Sequence, residues 1–257
     1  MLLLLVACKG PVEEAPALAD GTTISERCGL LIRDFHGDGA LEQAEAIATW
    51  MDDVVDAGEQ GYTLDPLDMS MVDAYEYSDE LEPDEMTAAI VPRRTLGGLD
   101  DHAAVVPEAD QSFADPSYAA WDRTITVGSE QGYLAGEDLE TDNDIVKSTL
   151  GIDIGYPMTK WYRWVELERG TGQIFLSVIT EAGWSDDGKN GVLAGFTIEG
   201  WVPAGDGEVL WYNATWTQFV TALDEFADDE FKLDQLVKGT VDYMEGTEEH
   251  VLEKAGE

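Results

Sequence analysis

The chain has 257 residues, enough for one large domain or a modest domain with an appended region. An apolar fraction of 44% and 8 Trp exclude a disordered chain and supply a core that needs no disulfide scaffold. Against 54 acidic residues stand 14 basic ones, a formal net charge of -40, which excludes nucleic acid as a partner. The same field favours cations, basic partners or life in high salt, with a plain acidic surface as the alternative.

Met1 is followed by Leu2-Leu3-Leu4-Leu5-Val6-Ala7 and then Cys8. Leu5-Val6-Ala7-Cys8 resembles the lipobox of bacterial lipoproteins, with a small residue just before the cysteine. The resemblance implies cleavage before Cys8, acylation of Cys8 and export to a bacterial membrane held through the lipid anchor. Lys9 in place of an aspartate implies the outer membrane. The apolar run is shorter than the about 7–15 residues of an ordinary signal peptide and lacks a basic lead, so the natural start is expected upstream. The alternative is an apolar N-terminus with no targeting meaning. Residues 1–8 thus read as the lipobox segment and residues 9–21, with Pro11 and Pro16, as a tether. With Cys8 acylated, Cys28 has no intramolecular partner, and Leu30, Leu31 and Ile32 beside it predict burial.

Residues 22–92 read as an acidic, mainly helical region, with no Lys or Arg between Arg33 and Arg93. Leu41, Ala44, Ile47, Ala48, Met51, Val54 and Val55 recur at helical spacing and predict a packed helix. Asp65 to Glu85 reads as loop with short helical pieces. Just ahead of the helix, Asp34-Phe35-His36-Gly37-Asp38-Gly39 through Glu45 resembles an EF-hand loop. The resemblance implies calcium held by Asp34, Asp38 and Glu45, the first, fifth and twelfth positions. His36 stands where an oxygen ligand belongs, and no second loop pairs with this one. The alternative is a turn in which Asp38-Gly39 opens the helix. Asp186 to Gly191 reads as a hairpin turn.

Residues 93–257 read as an α+β domain. Ala88–Val91 is a short strand and Thr95–Val106 a helix. Strands follow at Ala120–Val127, Ile152–Ile154, Lys160–Glu168, Gln173–Thr180, Leu193–Val202 and Val209–Phe219, separated by Gly-rich turns that make antiparallel hairpins. Asp228 to Glu253 is a long amphipathic helix, with Phe231, Leu236, Val241 and Met244 on its apolar side. The fold class is therefore α+β, an antiparallel sheet with a long C-terminal helix, preceded by the acidic helical region. This element order resembles the helix-grip arrangement of START-like proteins, which implies a curved sheet wrapped around the last helix with an apolar cavity between them. Trp121-Asp122-Arg123-Thr124 through Tyr162-Arg163-Trp164-Val165-Glu166-Leu167 also resembles uncharacterised myxobacterial lipoproteins, a family that brings no activity.

Strand alternation places Phe196, Ile198 and Val202 on one face and Thr197, Glu199 and Trp201 on the other; Trp211 likewise opposes Tyr212 and Trp216. Aromatics on both faces mean a sheet covered on both sides, or one that lines a pocket. Trp161, Arg163, Trp201, Trp211 and Trp216 are the candidate ligand-binding residues, with ordinary core as the alternative. No Gly-x-Ser-x-Gly elbow, Walker loop or His-x-x-x-His pair is present, so no residue is nominated for catalysis. The reading is a lipid-anchored envelope protein that binds an apolar small molecule. Its alternative is an envelope structural or interaction protein that docks a basic partner or cations through its acidic surface.

Overall fold

A computed structural model describes residues 12–55, 61–149, 151–205, 207–221 and 228–256. Leu5–Cys8, expected as a lipobox, lies outside the described residues, as does the start of the expected tether. The described residues form a ten-stranded sheet: β1 (Glu13–Glu14), β2 (Tyr62–Thr63), β3 (Thr87–Leu96), β4 (Tyr118–Val127), β5 (Leu139–Thr149), β6 (Ile152–Leu167), β7 (Gly170–Ile179), β8 (Gly183–Trp184), β9 (Gly191–Gly205) and β10 (Glu208–Val220). Their spatial order is β1-β2-β3-β10-β9-β7-β6-β5-β4, with the short β8 beside β9. Every pairing is antiparallel except β1 with β2. The last strand thus returns to pair with β3, the first long one, and the run from β4 to β10 coils back upon itself.

Helices cover both faces of this sheet. On the outer face lie α1 (Ile24–Asp34) and α2 (Gly39–Val54); on the inner face lie α3 (Leu99–Val105), α4 (Glu130–Leu134) and α5 (Asp229–Ala255). The Thr23 hydroxyl caps α1 by accepting from the Glu26 N–H at 3.1 Å. Ile24, Cys28, Leu31 and Ile32 then fall on one stripe and are buried, so Cys28 lies in the core as expected. The stripe of α2 holds at Ala44, Ile47, Ala48, Met51 and Val54, whereas Leu41 is exposed.

The outer-face core joins α1, α2 and residues 62–81 to Ile174, Leu176, Phe196, Ile198, Tyr212 and Trp216. The boundary expected at residue 92/93 therefore falls inside β3, between Pro92 and Arg93, and the acidic region shares one core with the sheet. Part of the expected tether is also built in. Glu13–Glu14 pairs with β2, Ala15 and Leu18 pack on the outer core, and the Pro16 carbonyl accepts from Trp50 Nε1 at 3.1 Å.

The expected helix over Thr95–Val106 is shortened by the strand before it. Thr95 pairs with Val209, the chain turns at Gly97 with φ +90, and α3 starts only at Leu99. The two expected strands at 152–154 and 160–168 are one strand, β6. Pro157 sits within it where pairing with β7 stops: its carbonyl still accepts from the Thr180 N–H at 3.2 Å, one residue beyond the last register pair, Met158 with Ile179, and its missing N–H ends the ladder there. β5 lacks the expected signature of a strand, since its inward positions include Thr141 and Asn143.

α5 matches its expected span and is capped by the Asp228 carboxylate, which accepts from the Phe231 N–H at 2.9 Å. Its contact face differs from expectation: Phe231 is exposed, and only Met244, Thr247 and Val251 are buried. Among the described residues, no helix is long and apolar enough to cross a membrane.

Candidate functional site in the grip of the sheet on the last helix

The inner face of the sheet is laid out in rows. Tyr162, Phe175, Glu199 and Asn213 stand abreast on β6, β7, β9 and β10, and Trp164, Gln173, Trp201 and Trp211 form the next row. A curved antiparallel sheet brings such rows toward a common centre, and α5 closes the concavity. The ring of Trp201 lies 4.5 Å from that of Phe175 and 5.5 Å from that of Trp211, and Tyr243 of α5 stands 5.7 Å from Trp211. These rings fill the space expected to be an apolar cavity. What remains is a cavity of about 20 Å³ between the sheet, α3 and α5, room for a single water molecule.

The walls of that cavity are polar and charged. Lys160 Nζ donates to Glu199 Oε1 at 2.7 Å, and both side chains are at most 5% exposed. Trp211 Nε1 donates to the other Glu199 oxygen at 3.3 Å. The ammonium also sits 5.4 Å from the Tyr162 ring and 5.5 Å from that of Phe175. Burial is the largest influence and works against the Lys160 ammonium, but the adjacent Glu199 carboxylate together with Tyr243 and Tyr162 outweighs it and holds the pKa above the ordinary 10.5.

Arg123 of β4 is the second buried cation, 8% exposed. Its Nε donates to Asn143 Oδ1 at 2.9 Å and its Nη1 to the Val106 carbonyl. Asn143 is fixed in turn by donating to the Met158 carbonyl at 3.1 Å and by accepting from Trp121 Nε1 at 2.9 Å. On two residues that line the cavity, the buried Tyr162 Oη and Trp201 Nε1 have no partner among the described residues.

The sequence-predicted ligand residues divide between the two faces. Trp201 and Trp211 stand in the grip, and Trp201 lines the cavity. Trp161, Arg163 and Trp216 point to the outer face and hold the N-terminal layer. Arg163 Nη1 donates to the Phe35 and Gly37 carbonyls at 2.6 and 2.8 Å, clasping the α1–α2 turn. Trp161 packs on His36 and Tyr75, and Trp216 Nε1 donates to the Asp65 carbonyl at 2.9 Å. Lys160, Glu199, Arg123 and Tyr162 were not nominated. The one signal for them was alternation, which set the charged Glu199 on the face of Trp201.

Asp34 to Glu45 form a helix–turn–helix in which Asp38-Gly39 opens α2, the arrangement of the turn reading: Asp34 ends α1, Asp38 precedes α2, and Glu45 lies in the second turn of α2. The Asp34 carboxylate accepts from Arg33 at 2.7 and 2.8 Å, and that of Glu45 accepts from the Glu168 N–H at 2.9 Å. Among the described residues, no three His, Cys, Asp or Glu side chains are grouped to hold a metal ion.

Comparison with known proteins found no matching family model and no matching curated protein. Solved structures to which the chain is similar include a STAR-related lipid transfer protein from Xanthomonas axonopodis, at 11% identity and a TM-score of 0.47 over 76% of this chain and 93% of that one. The Zhui aromatase/cyclase from Streptomyces sp. R1128 is similar at 8% identity and a TM-score of 0.44, over 66% and 96% of the two chains. The lipid transfer and protein localization domain of human StarD13 is similar at 8% identity and a TM-score of 0.42, over 80% and 95%.

Proposed function

We propose that the protein is a binding module that holds a small amphipathic molecule between the inner face of the sheet and α5. One observation carries this reading: the cavity is lined by the buried charged side chains of Arg123, Lys160 and Glu199 and by Tyr162 and Trp201, whose Oη and Nε1 have no partner among the described residues. The cavity of about 20 Å³ means that the ligand enters by displacement of α5 and the rings beneath it. The attachment of α5 is uneven. Its C-terminal half is clamped by Arg93, which donates to Glu245 and Glu248 at 3.1 Å, and by the Leu96 N–H on Glu248 at 2.6 Å. Its N-terminal half has no buried residue before Met244. A lid of this build opens from its N-terminal end.

The setting we propose is the cell envelope, reached through acylated Cys8; the support is the resemblance of Leu5–Cys8 to a lipobox. Native mass spectrometry of the purified chain tests the binding reading. A mass excess of a few hundred daltons that organic extraction removes supports it. A bare mass that persists when amphipathic molecules are offered contradicts it.

A second reading, docking of a basic partner or cations, is favoured by one observation. Every Asp and Glu from Asp65 to Glu85 is exposed, with no Lys or Arg between them. It is weakened by the exposed Asp122, Asp142 and Asp144 on β4 and β5, which spread the acidity to other faces.

A further inference from the structure

We propose, resting on the binding reading above, that the polar end of the ligand is a carboxylate, received by Arg123, Lys160, Tyr162 Oη–H and Trp201 Nε1–H. The charges around the cavity do not balance. Two cations, Arg123 and Lys160, line it against one carboxylate, Glu199. Glu199 is committed to Lys160 and Trp211. Arg123 makes no ion pair among the described residues, and the hydrogen-bond acceptors it has are neutral, the Asn143 amide and the Val106 carbonyl. Among the described residues this is a buried guanidinium without a counter-ion, in a chain of 54 acidic and 14 basic residues.

An uncompensated buried charge is costly, and the rings of Tyr162 at 5.3 Å and Trp121 at 5.8 Å offset only part of that cost. One bound monoanion brings the site to neutrality. The remaining groups agree in kind: Tyr162 Oη and Trp201 Nε1 are donors waiting for an acceptor, and an ionised carboxylate is acceptor-only with about four lone-pair sites. The acidic surface does not forbid an anion here, because exposed charges are screened beyond a Debye length of about 8 Å at physiological salt, whereas the buried cations are not.

The test is calorimetric titration of the full chain with decanoate and, separately, with decanol, at about pH 7.5, where a fatty carboxylate is ionised. Decanoate is expected to bind about tenfold or more tightly than decanol, the scale of one charge-assisted hydrogen bond. Arg123→Met and Tyr162→Phe are each expected to weaken decanoate binding more than decanol binding and so to reduce that preference. Should Arg123→Met fail to fold, Tyr162→Phe, which keeps the ring, decides alone. Equal binding of acid and alcohol, or a preference unmoved by Tyr162→Phe, overturns the carboxylate assignment and leaves the binding reading standing. Binding of neither overturns both.

Discussion

Lys160 and Glu199 stand two strands apart, so their 2.7 Å contact spans the sheet beneath α5. Such a pair contributes little net stability, because desolvation of both ions offsets their attraction, yet loss of one partner strands the other. Lys160→Met is expected to destabilise the protein by about 3–5 kcal/mol, and Lys160→Met with Glu199→Leu to recover most of that loss, read from urea unfolding. Because the Lys160 pKa is raised, its contribution is fully present below 10.5 and is lost only as the pH climbs through the higher folded value. His102 has the opposite sign. Burial depresses its pKa below 6.5, and its neutral ring donates from Nε2 to the Leu96 carbonyl at 3.0 Å. As the pH falls through 6.5 the unfolded chain takes up a proton that the native ring refuses, so stability drops. His102→Asn is expected to flatten the fall in melting temperature on acidification; an unchanged slope contradicts this assignment. The candidate site was partly legible at this scale. Alternation separated Trp201 from Phe196, but it assigns residues to opposite faces without saying which face meets α5. Trp161, Arg163 and Trp216 therefore shared a candidate set with Trp201 and Trp211, although they hold the other layer.

The two glycines of α5 separate helix propensity from packing. A methyl group at Gly239 meets nothing within 4 Å, whereas one at Gly246 collides with the Ala114 carbonyl. Gly→Ala in a helix ordinarily gains about 1 kcal/mol. Gly239→Ala is expected to stabilise by up to that amount, and Gly246→Ala to cost about 1–3 kcal/mol by pushing α5 off residues 113–114. Equal effects of the two substitutions in a denaturant titration would show that α5 does not rest on that turn. Elements with strong local signals were legible. The expected β6–β7 turn is present one residue earlier, at Glu168-Arg169, and in the expected Pro203–Gly207 turn β9 continues as far as Gly205. β5 was not legible, because the buried Asn143 and Thr141 are polar for the sake of Arg123 and erase the apolar alternation. Nor was the true contact face of α5, since Thr247, buried beside the cavity, looks like a surface residue in sequence.

Charge governs the molecule as a whole. At a net charge of -40 the native state is compact against its own repulsion, and added salt screens it. The melting temperature is expected to rise between about 0.05 and 1 M KCl, as the Debye length shrinks from over 10 to about 3 Å. A flat or falling curve would show that the acidity is locally compensated. The three-layer arrangement was legible as a sheet covered on both sides. The merging of the acidic region with the sheet was not, because the contacts of Arg163 with Phe35 and of Trp216 with Asp65 join residues far apart in sequence.

Amide hydrogen exchange of the full chain, with and without decanoate, asks most directly whether the grip takes a ligand. The account predicts added protection on α5 around Tyr243 to Val251 and on β6 and β9 beside Lys160 and Glu199, with α1 and α2 unchanged. Binding that leaves α5 and these strands unprotected would place the ligand elsewhere and contradict it.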